Sequence, residues 1–251
     1  MAGPVGEHAR RFGVAYLGLA AIFGAAIGLF VVLLERPAPP PPPPWSAWRP
    51  ASPAAVDQTQ EIADHIAAQY RLPNGHRLVR VYVGGPGSSS APIKAVAFAT
   101  TVNPTSQNQI KGFVDANATA MYILCGGGAK CAIREGKPSV ARGAVLRREA
   151  LELALYTFEY VKGTNAVVAF FPPKVGDSMT NALFFARSDF DMELRHPLKR
   201  TLPHPLPPKT DELSPKERKV VDRLTTSRQF RFSLRHDQSG ASVLVLAPLA
   251  G

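Results

Sequence analysis

GAVLRREALELALYTFEYVKG, residues 143–163, is the stretch on which the reading of the whole chain turns. At helical spacing Leu146, Ala150, Leu153 and Val161 mark one stripe, while Leu151, Leu155 and Phe158 mark another. A helix lying on a surface needs one apolar stripe; two predict a helix covered from several directions, at the centre of a domain. Gly163 is a natural stop for it.

Around this helix the chain reads as short elements of both kinds. AVDQTQEIADHIAAQY (55–70) repeats Val56, Ile62 and Ile66, with Ala63 and Ala67, near helical spacing. HRLVRVYVG (76–84), IKAVAFATT (93–101) and TAMYILC (119–125) read as strands separated by glycine, serine and asparagine-rich turns. After the central helix, TNAVVAFFPPK (164–174) reads as an internal strand. LFFARSDFDMELRH (183–196) then alternates, with Ala186, Ser188, Phe190, Met192 and Leu194 on one side and Arg187, Asp189, Asp191, Glu193 and Arg195 on the other. That pattern predicts a strand with one wet face, and sign matching sets Arg231 and Arg235 opposite its acids. A proline-rich connector (200–213) leads to a capping box at Ser214, Pro215 and Glu217. QFRFSLRHDQSGASVLVLAPL (229–249) closes the chain as a hairpin. Without a regular βαβ repeat, the expected fold is a single α+β domain over 54–251, its mixed or mainly antiparallel sheet packed on the central helix.

The front of the chain is different in kind. Gly13–Leu34 runs 22 residues without a charge, roughly 33 Å of helix against a hydrocarbon core of about 30 Å. Its length favours an uncleaved anchor over a cleaved signal peptide. Arg10 and Arg11 before the span, with Glu35 and Arg36 cancelling after it, place residues 1–12 in the cytoplasm and the domain outside a plasma membrane crossed once. Gly24 and Gly28 form a G-x-x-x-G that lets two such spans approach, a route to a homodimer. Residues 35–53 contain six consecutive prolines, Pro39–Pro44, and read as a stiff polyproline stalk. Trp45 and Trp48 lie three apart on one face of it, either packing on the domain or contacting a partner.

LCGGGAKCAI (124–133) is a stretch that suggests chemistry. It lacks the spacing and the hydroxyl of a phosphate-binding P-loop. Two cysteines are too few for a structural zinc site, and five intervening residues do not make a thioredoxin-type pair. A disulfide between Cys125 and Cys131 fits an exported domain, the glycines supplying unusual backbone angles to a short ring. Gly127, Gly128 and Lys130 retain a second reading as an anion contact. No metal site, cofactor motif or serine-enzyme signature is present.

The part beyond the span carries 26 Lys and Arg against 17 Asp and Glu once Arg10, Arg11, Arg36, Glu7 and Glu35 are set aside. A basic surface outside the cell meets anionic lipid headgroups, envelope polymers or an envelope protein rather than nucleic acid. YILCGGGAKCAIREGKPSVARGAVLRREALELALYTFEYV, with VVAFFPPK after it and FRFSLRHDQSGASVLVLAPL at the end, resembles a family of single-span membrane proteins of high-GC Gram-positive bacteria. The resemblance implies one folded domain, an anchor and a cysteine pair, and carries over no catalytic or binding residue. The expected function is a membrane-anchored extracytoplasmic binding or scaffolding module of the cell envelope without catalysis. The alternative is an envelope hydrolase using the acidic strand face of Asp189, Asp191 and Glu193.

Overall fold

The computed structural model describes residues 7–35, 43–86, 92–101, 104, 106, 109–136, 138–203, 213–236 and 240–249. They divide into two units, Met1–Pro43 and Pro44–Gly251. Most of the proline run, most of the proline-rich connector and the tip of the DQSG turn lie outside the described residues.

In the first unit, helix α1 (Glu7–Leu34) contains Phe12–Leu34, which is long and apolar enough to cross a membrane. The second unit is built on one mixed sheet of eight strands: β1 (Arg80–Val83), β2 (Ile93–Ala99), β3 (Ile110–Asp115), β4 (Thr119–Cys125), β5 (Ala166–Phe170), β6 (Asn181–Ala186), β7 (Gln229–His236) and β8 (Ser242–Pro248). Their order across the sheet is β1-β4-β5-β6-β7-β8-β2-β3. β4 with β5 and β8 with β2 run parallel; every other neighbouring pair is antiparallel.

This order cannot lie flat. β3 is the last strand and β4 the second, yet only Ala116–Ala118 joins them. In a flat sheet the two would stand six strand spacings apart, about 29 Å, whereas three connecting residues reach about 14 Å. The sheet therefore curls on itself. Phe98 of β2 consequently meets Phe184 of β6 edge to face at 4.7 Å between ring centres, although two strands separate them in the sheet. Val96, Met121, Val168, Phe170, Leu244 and Leu246 fill the inside of the curl.

The helices α2 (Ala55–Gln69), α3 (Val140–Tyr160) and α5 (Pro215–Thr225) share the other main core with β1, β4, β5 and β6. α3 is covered as its two stripes predict: Leu146, Ala150, Leu151, Leu153, Leu155 and Phe158 are all buried. β5 is buried at all five positions, with Val167 and Ala169 toward the helices and Val168 and Phe170 toward the curl. On α2, Ile62, Ala63, Ile66 and Ala67 are buried, but Val56 in the first turn is 75% exposed. The capping box forms in half: Ser214 Oγ accepts from the Glu217 amide, while the Glu217 side chain turns inward. IKGFVD, not recognised in the sequence as a strand, is β3, with strictly alternating exposure at one edge of the sheet.

The predicted strand over 183–196 ends at Ala186. Arg187–Phe190 forms a 3-10 turn and Asp191–Leu194 a single helical turn, α4. Phe190 is buried against Phe158 and Phe185, which pins the chain where the alternation would have continued outward. Met192 is exposed and Glu193 buried, the reverse of the strand reading. Arg231 and Arg235 stand opposite Ala247 and Val243 of β8 and face no acid row.

Residues 45–53, expected to be stalk, lie as a strap on α2 and α3. Trp45 packs edge-on to Tyr156 and Tyr160, and its carbonyl accepts from the Leu198 amide at 2.8 Å. Trp48 stacks on His65 at 3.8 Å with the rings nearly parallel. The Glu61 carboxylate accepts from the Ala51 and Ser52 amides.

Cys125 and Cys131 form the disulfide, and a turn tightens around it. Gly126 N donates to Cys131 O and Gly128 N to Ala132 O, both at 2.9 Å. Of the three glycines only Gly127 has a positive φ, 78°. Gly126 and Gly128 serve a different need from the one expected, because a Cβ on Gly126 would stand 2.3 Å from Ile133 Cα and one on Gly128 2.8 Å from Ala132 O. The other left-handed angles of the ring fall on Lys130 and Cys131. Thiol labelling of the denatured, unreduced chain is therefore expected to find no free cysteine, and Gly126→Ala to lower the melting temperature by several degrees. Unshifted melting of that variant would contradict the close backbone approach.

Candidate functional site

The first residue of β1 and the turn before it bring a set of cations to one place. Tyr70 to Leu78 forms a tight reversal in which the Leu72 amide donates to His76 O and the Leu78 amide to Tyr70 O. Arg71 and Arg77 are bridge partners in it. β1 then pairs with β4 so that Arg80 stands opposite Cys125. Val81 is buried in the helix-side core, so alternation turns Arg80 and Tyr82 away from the helices and leaves both exposed.

Two adjoining depressions, about 370 and 400 Å³, share Arg77, Arg80, Cys125, Gly126 and Gly127 in their walls. Arg71 completes the first, and Arg134 with Tyr82 the second. Lys130 sits on the disulfide turn between Gly128 and Cys131, which also line the second. Among the described residues no carboxylate pairs with Arg77, Arg80 or Lys130, while Arg134 is attracted by the adjacent Glu135. The one acid in these walls, Glu135, is already engaged: Asn74 Nδ2 donates to it at 2.6 Å and His76 Nδ1 lies 2.7 Å away. The hydrogen bond from Asn74, then that from His76, hold its carboxyl below the ordinary carboxylate value. Guanidinium groups of Arg77 and Arg80, gathered beside a constrained backbone turn with no carboxylate paired to them among the described residues, suit a phosphate or carboxylate, which each fork can grip with two hydrogen bonds.

The sequence placed an anion contact at Gly127, Gly128 and Lys130. Gly127 and Gly128 do line the depressions, but the Gly128 amide is spent on Ala132 O, so the cations supply the recognition chemistry. Arg77, Arg80 and Arg134 were missed. They lie more than fifty residues apart in sequence across the two groups, and only the β1–β4 pairing and the disulfide turn bring them together. The remaining candidates go elsewhere. Trp45 and Trp48 are half-buried in the strap's own packing. Gly24 and Gly28 lie on α1, where a Cβ would meet nothing.

Asp189, Asp191 and Glu193 share no strand face. Asp189 pairs with Arg228 at 3.3 Å and Glu193 with Arg223 at 3.4 Å, and Asp191 sits exposed at the start of α4. Among the described residues no group of three His, Cys, Asp or Glu could hold a metal ion.

A second polar cluster is fully enclosed. Arg148, inaccessible in the middle of α3, donates from Nε to Glu217 at 2.6 Å and from Nη1 to Glu152 at 2.9 Å. It also bonds the Tyr70 hydroxyl, which itself donates to Glu152 at 2.7 Å. Glu149 beside it is inaccessible, and among the described residues neither carboxyl oxygen has a hydrogen-bond partner. Burial, reinforced by the neighbouring Glu152 charge, raises its pKa well above the ordinary carboxylate value. None of the depressions above reaches this cluster, so it is a structural joint among α2, α3 and α5.

No protein-family model, no curated protein and no solved structure matches this chain.

A carboxyl whose pKa is raised by folding favours the folded state below the unfolded value near 4.5 and loses that advantage as pH climbs toward the folded value. Glu149→Gln cannot ionise in either state. Its stability relative to the parent is expected to grow by up to about 1.4 kcal/mol per pH unit above that point, read from denaturant melts between pH 4 and pH 8. A pH-independent difference would show that Glu149 is not held neutral.

Proposed function

We propose that this chain is a membrane-anchored, extracytoplasmic binding module that recognises an anionic component of the cell envelope at the arginine-lined depressions beside the Cys125–Cys131 turn. The observation that carries the reading is the gathering of Arg77, Arg80 and Lys130 without a carboxylate partner among the described residues, with Arg134 beside Glu135 in the same wall. Unpaired cations on a folded surface repel one another, and an anionic ligand relieves that repulsion. Tyr82 in the same wall offers an apolar face beside the charges.

The compartment is supported by two independent features. A disulfide persists in an oxidising environment, and the basic flank before the span keeps residues 1–12 in the cytoplasm. The alternative of an envelope hydrolase lacks the shared acidic face on which it rested, since Asp189 and Glu193 are engaged by arginines and Asp191 is exposed at the start of α4.

The test is binding of the full chain in detergent micelles to a synthetic poly(glycerol phosphate) oligomer. Affinity should fall with added salt, and Arg77→Ala and Arg80→Ala should each weaken it about threefold to tenfold. Lys219→Ala, on the exposed side of α5, should leave it unchanged. An equal loss with Lys219→Ala would reduce the effect to net charge and overturn the assignment of the site.

A further inference from the structure

β1 is four residues long and its partner β4 seven. Pairing runs from Arg80 opposite Cys125 to Val83 opposite Tyr122. One further bond, from the Gly84 amide to Met121 O at 2.8 Å, ends the contact, and among the described residues no strand pairs with Thr119 and Ala120 on that edge. Where β1 stops, a recess of about 560 Å³ opens, within the range of small-molecule sites. Ala120 and Met121 line its β4 side, with Val56 from the first turn of α2, Val83, Ile93 at the start of β2 and Val161 just past α3 around them. Gly85 closes one wall tightly, since a Cβ there would stand 2.6 Å from Ile93 Cδ1 and 2.9 Å from Met121 Sδ. Val56 and Val83 leave apolar surface at the lip in contact with water, 75% and 36% exposed.

The recess and the arginine-lined depressions occupy the two ends of one short strand. Arg80 and Val83 are three residues apart, about 10 Å along β1, and although they alternate to opposite faces, β1 is the end strand of the sheet, so one ligand reaches both around its free side. A ligand anionic at one end and hydrocarbon at the other matches that sequence of surfaces; a wholly ionic polymer would leave the recess unused. The chain also carries a helix long and apolar enough to cross a membrane, so tethering would hold the domain at high effective concentration near lipid.

We propose that the β1 edge binds an anionic phospholipid of that bilayer, with its phosphate held by Arg77 and Arg80 and one acyl chain in the recess. The head-group half rests on the anion-binding reading above; the acyl half rests on the recess alone. Each methylene buried there would raise affinity about fourfold, and the charge pairing selects acidic over zwitterionic lipid.

The experiment uses the full chain in nanodiscs of phosphatidylcholine doped with phosphatidylglycerol that carries a photoreactive diazirine on its acyl chain. Photoreactive phosphatidylcholine is the control. Adducts on peptides covering 83–86 and 119–122 should be at least fivefold more abundant with phosphatidylglycerol, while adducts on Phe12–Leu34 should be equal for both lipids. The double variant Arg77→Ala, Arg80→Ala should reduce the domain adducts at least fivefold without changing those on the span. Val56→Glu, at an exposed position on the lip, should reduce them severalfold with the arginines intact. Adducts confined to the span, equal labelling by both lipids, or labelling indifferent to both variants would each overturn the proposal. If arginine-dependent binding of poly(glycerol phosphate) persists without acyl adducts in the domain, the acyl site fails and the anion site stands. If neither probe depends on the arginines, both readings fail.

Discussion

Three residues, Ala116–Ala118, impose the constraint on which the domain depends. They join strands that sit near opposite ends of the sheet, and the short reach of the link forces an eight-stranded sheet to curl. Curling creates an inside, which Phe98, Phe170, Phe184, Phe230 and Phe232 fill with edge-to-face ring contacts. It leaves the convex side of β4, β5 and β6 to the helices and so buries β5 on both faces. It also brings β2 to the end of β1, so that Ile93 and Met121 border one recess despite the strands between them.

On the helix side, cohesion has a polar component that is costly to disturb. Arg148 ties the end of α2, the middle of α3 and the first turn of α5 through Tyr70, Glu152 and Glu217. Taking such charges out of water is repaid only by complete pairing, and removal of one partner typically costs about 3–5 kcal/mol. The joint therefore fixes how the helices meet more than it adds to net stability. Glu149 has no such compensation and is carried by the packing around it. Tyr70 links the joint to the surface: the same residue that bonds Arg148 begins the reversal that presents Arg71 and Arg77.

Much of this was legible in the sequence where one local pattern had one physical meaning. Two apolar stripes on residues 143–163 required a covered helix, and the unbroken run of apolar residues at 166–170 required a strand buried on both faces. The cysteine count and the span before it pointed to a disulfide. Legibility failed where local patterns were ambiguous or the cause was distant. Phe190 and Leu194 are four residues apart, so the alternation over 186–195 is equally compatible with a helical turn, and burial of Phe190 decided between them. Gly126 and Gly128 answer to the approach of Ala132 and Ile133, which no local rule of backbone angle reveals. The arginine cluster was visible only as a net charge, because its members come from two distant segments, 71–80 and 130–134, whose meeting is a tertiary event.

The resulting picture is of a domain whose helices cover one core and whose shortest strand is the edge at which binding is proposed. The cations, the disulfide turn, Tyr82 and the apolar recess all border β1, while the acids once considered for catalysis lie on the turn and short helix after β6, engaged by arginines or open to water. Hydrogen–deuterium exchange on the full chain, compared in phosphatidylcholine nanodiscs with and without phosphatidylglycerol, tests that assignment most directly. The account predicts slower exchange confined to residues 71–86 and 119–134 when the acidic lipid is present. Unchanged exchange there, or protection centred on α5 and β7, would contradict it.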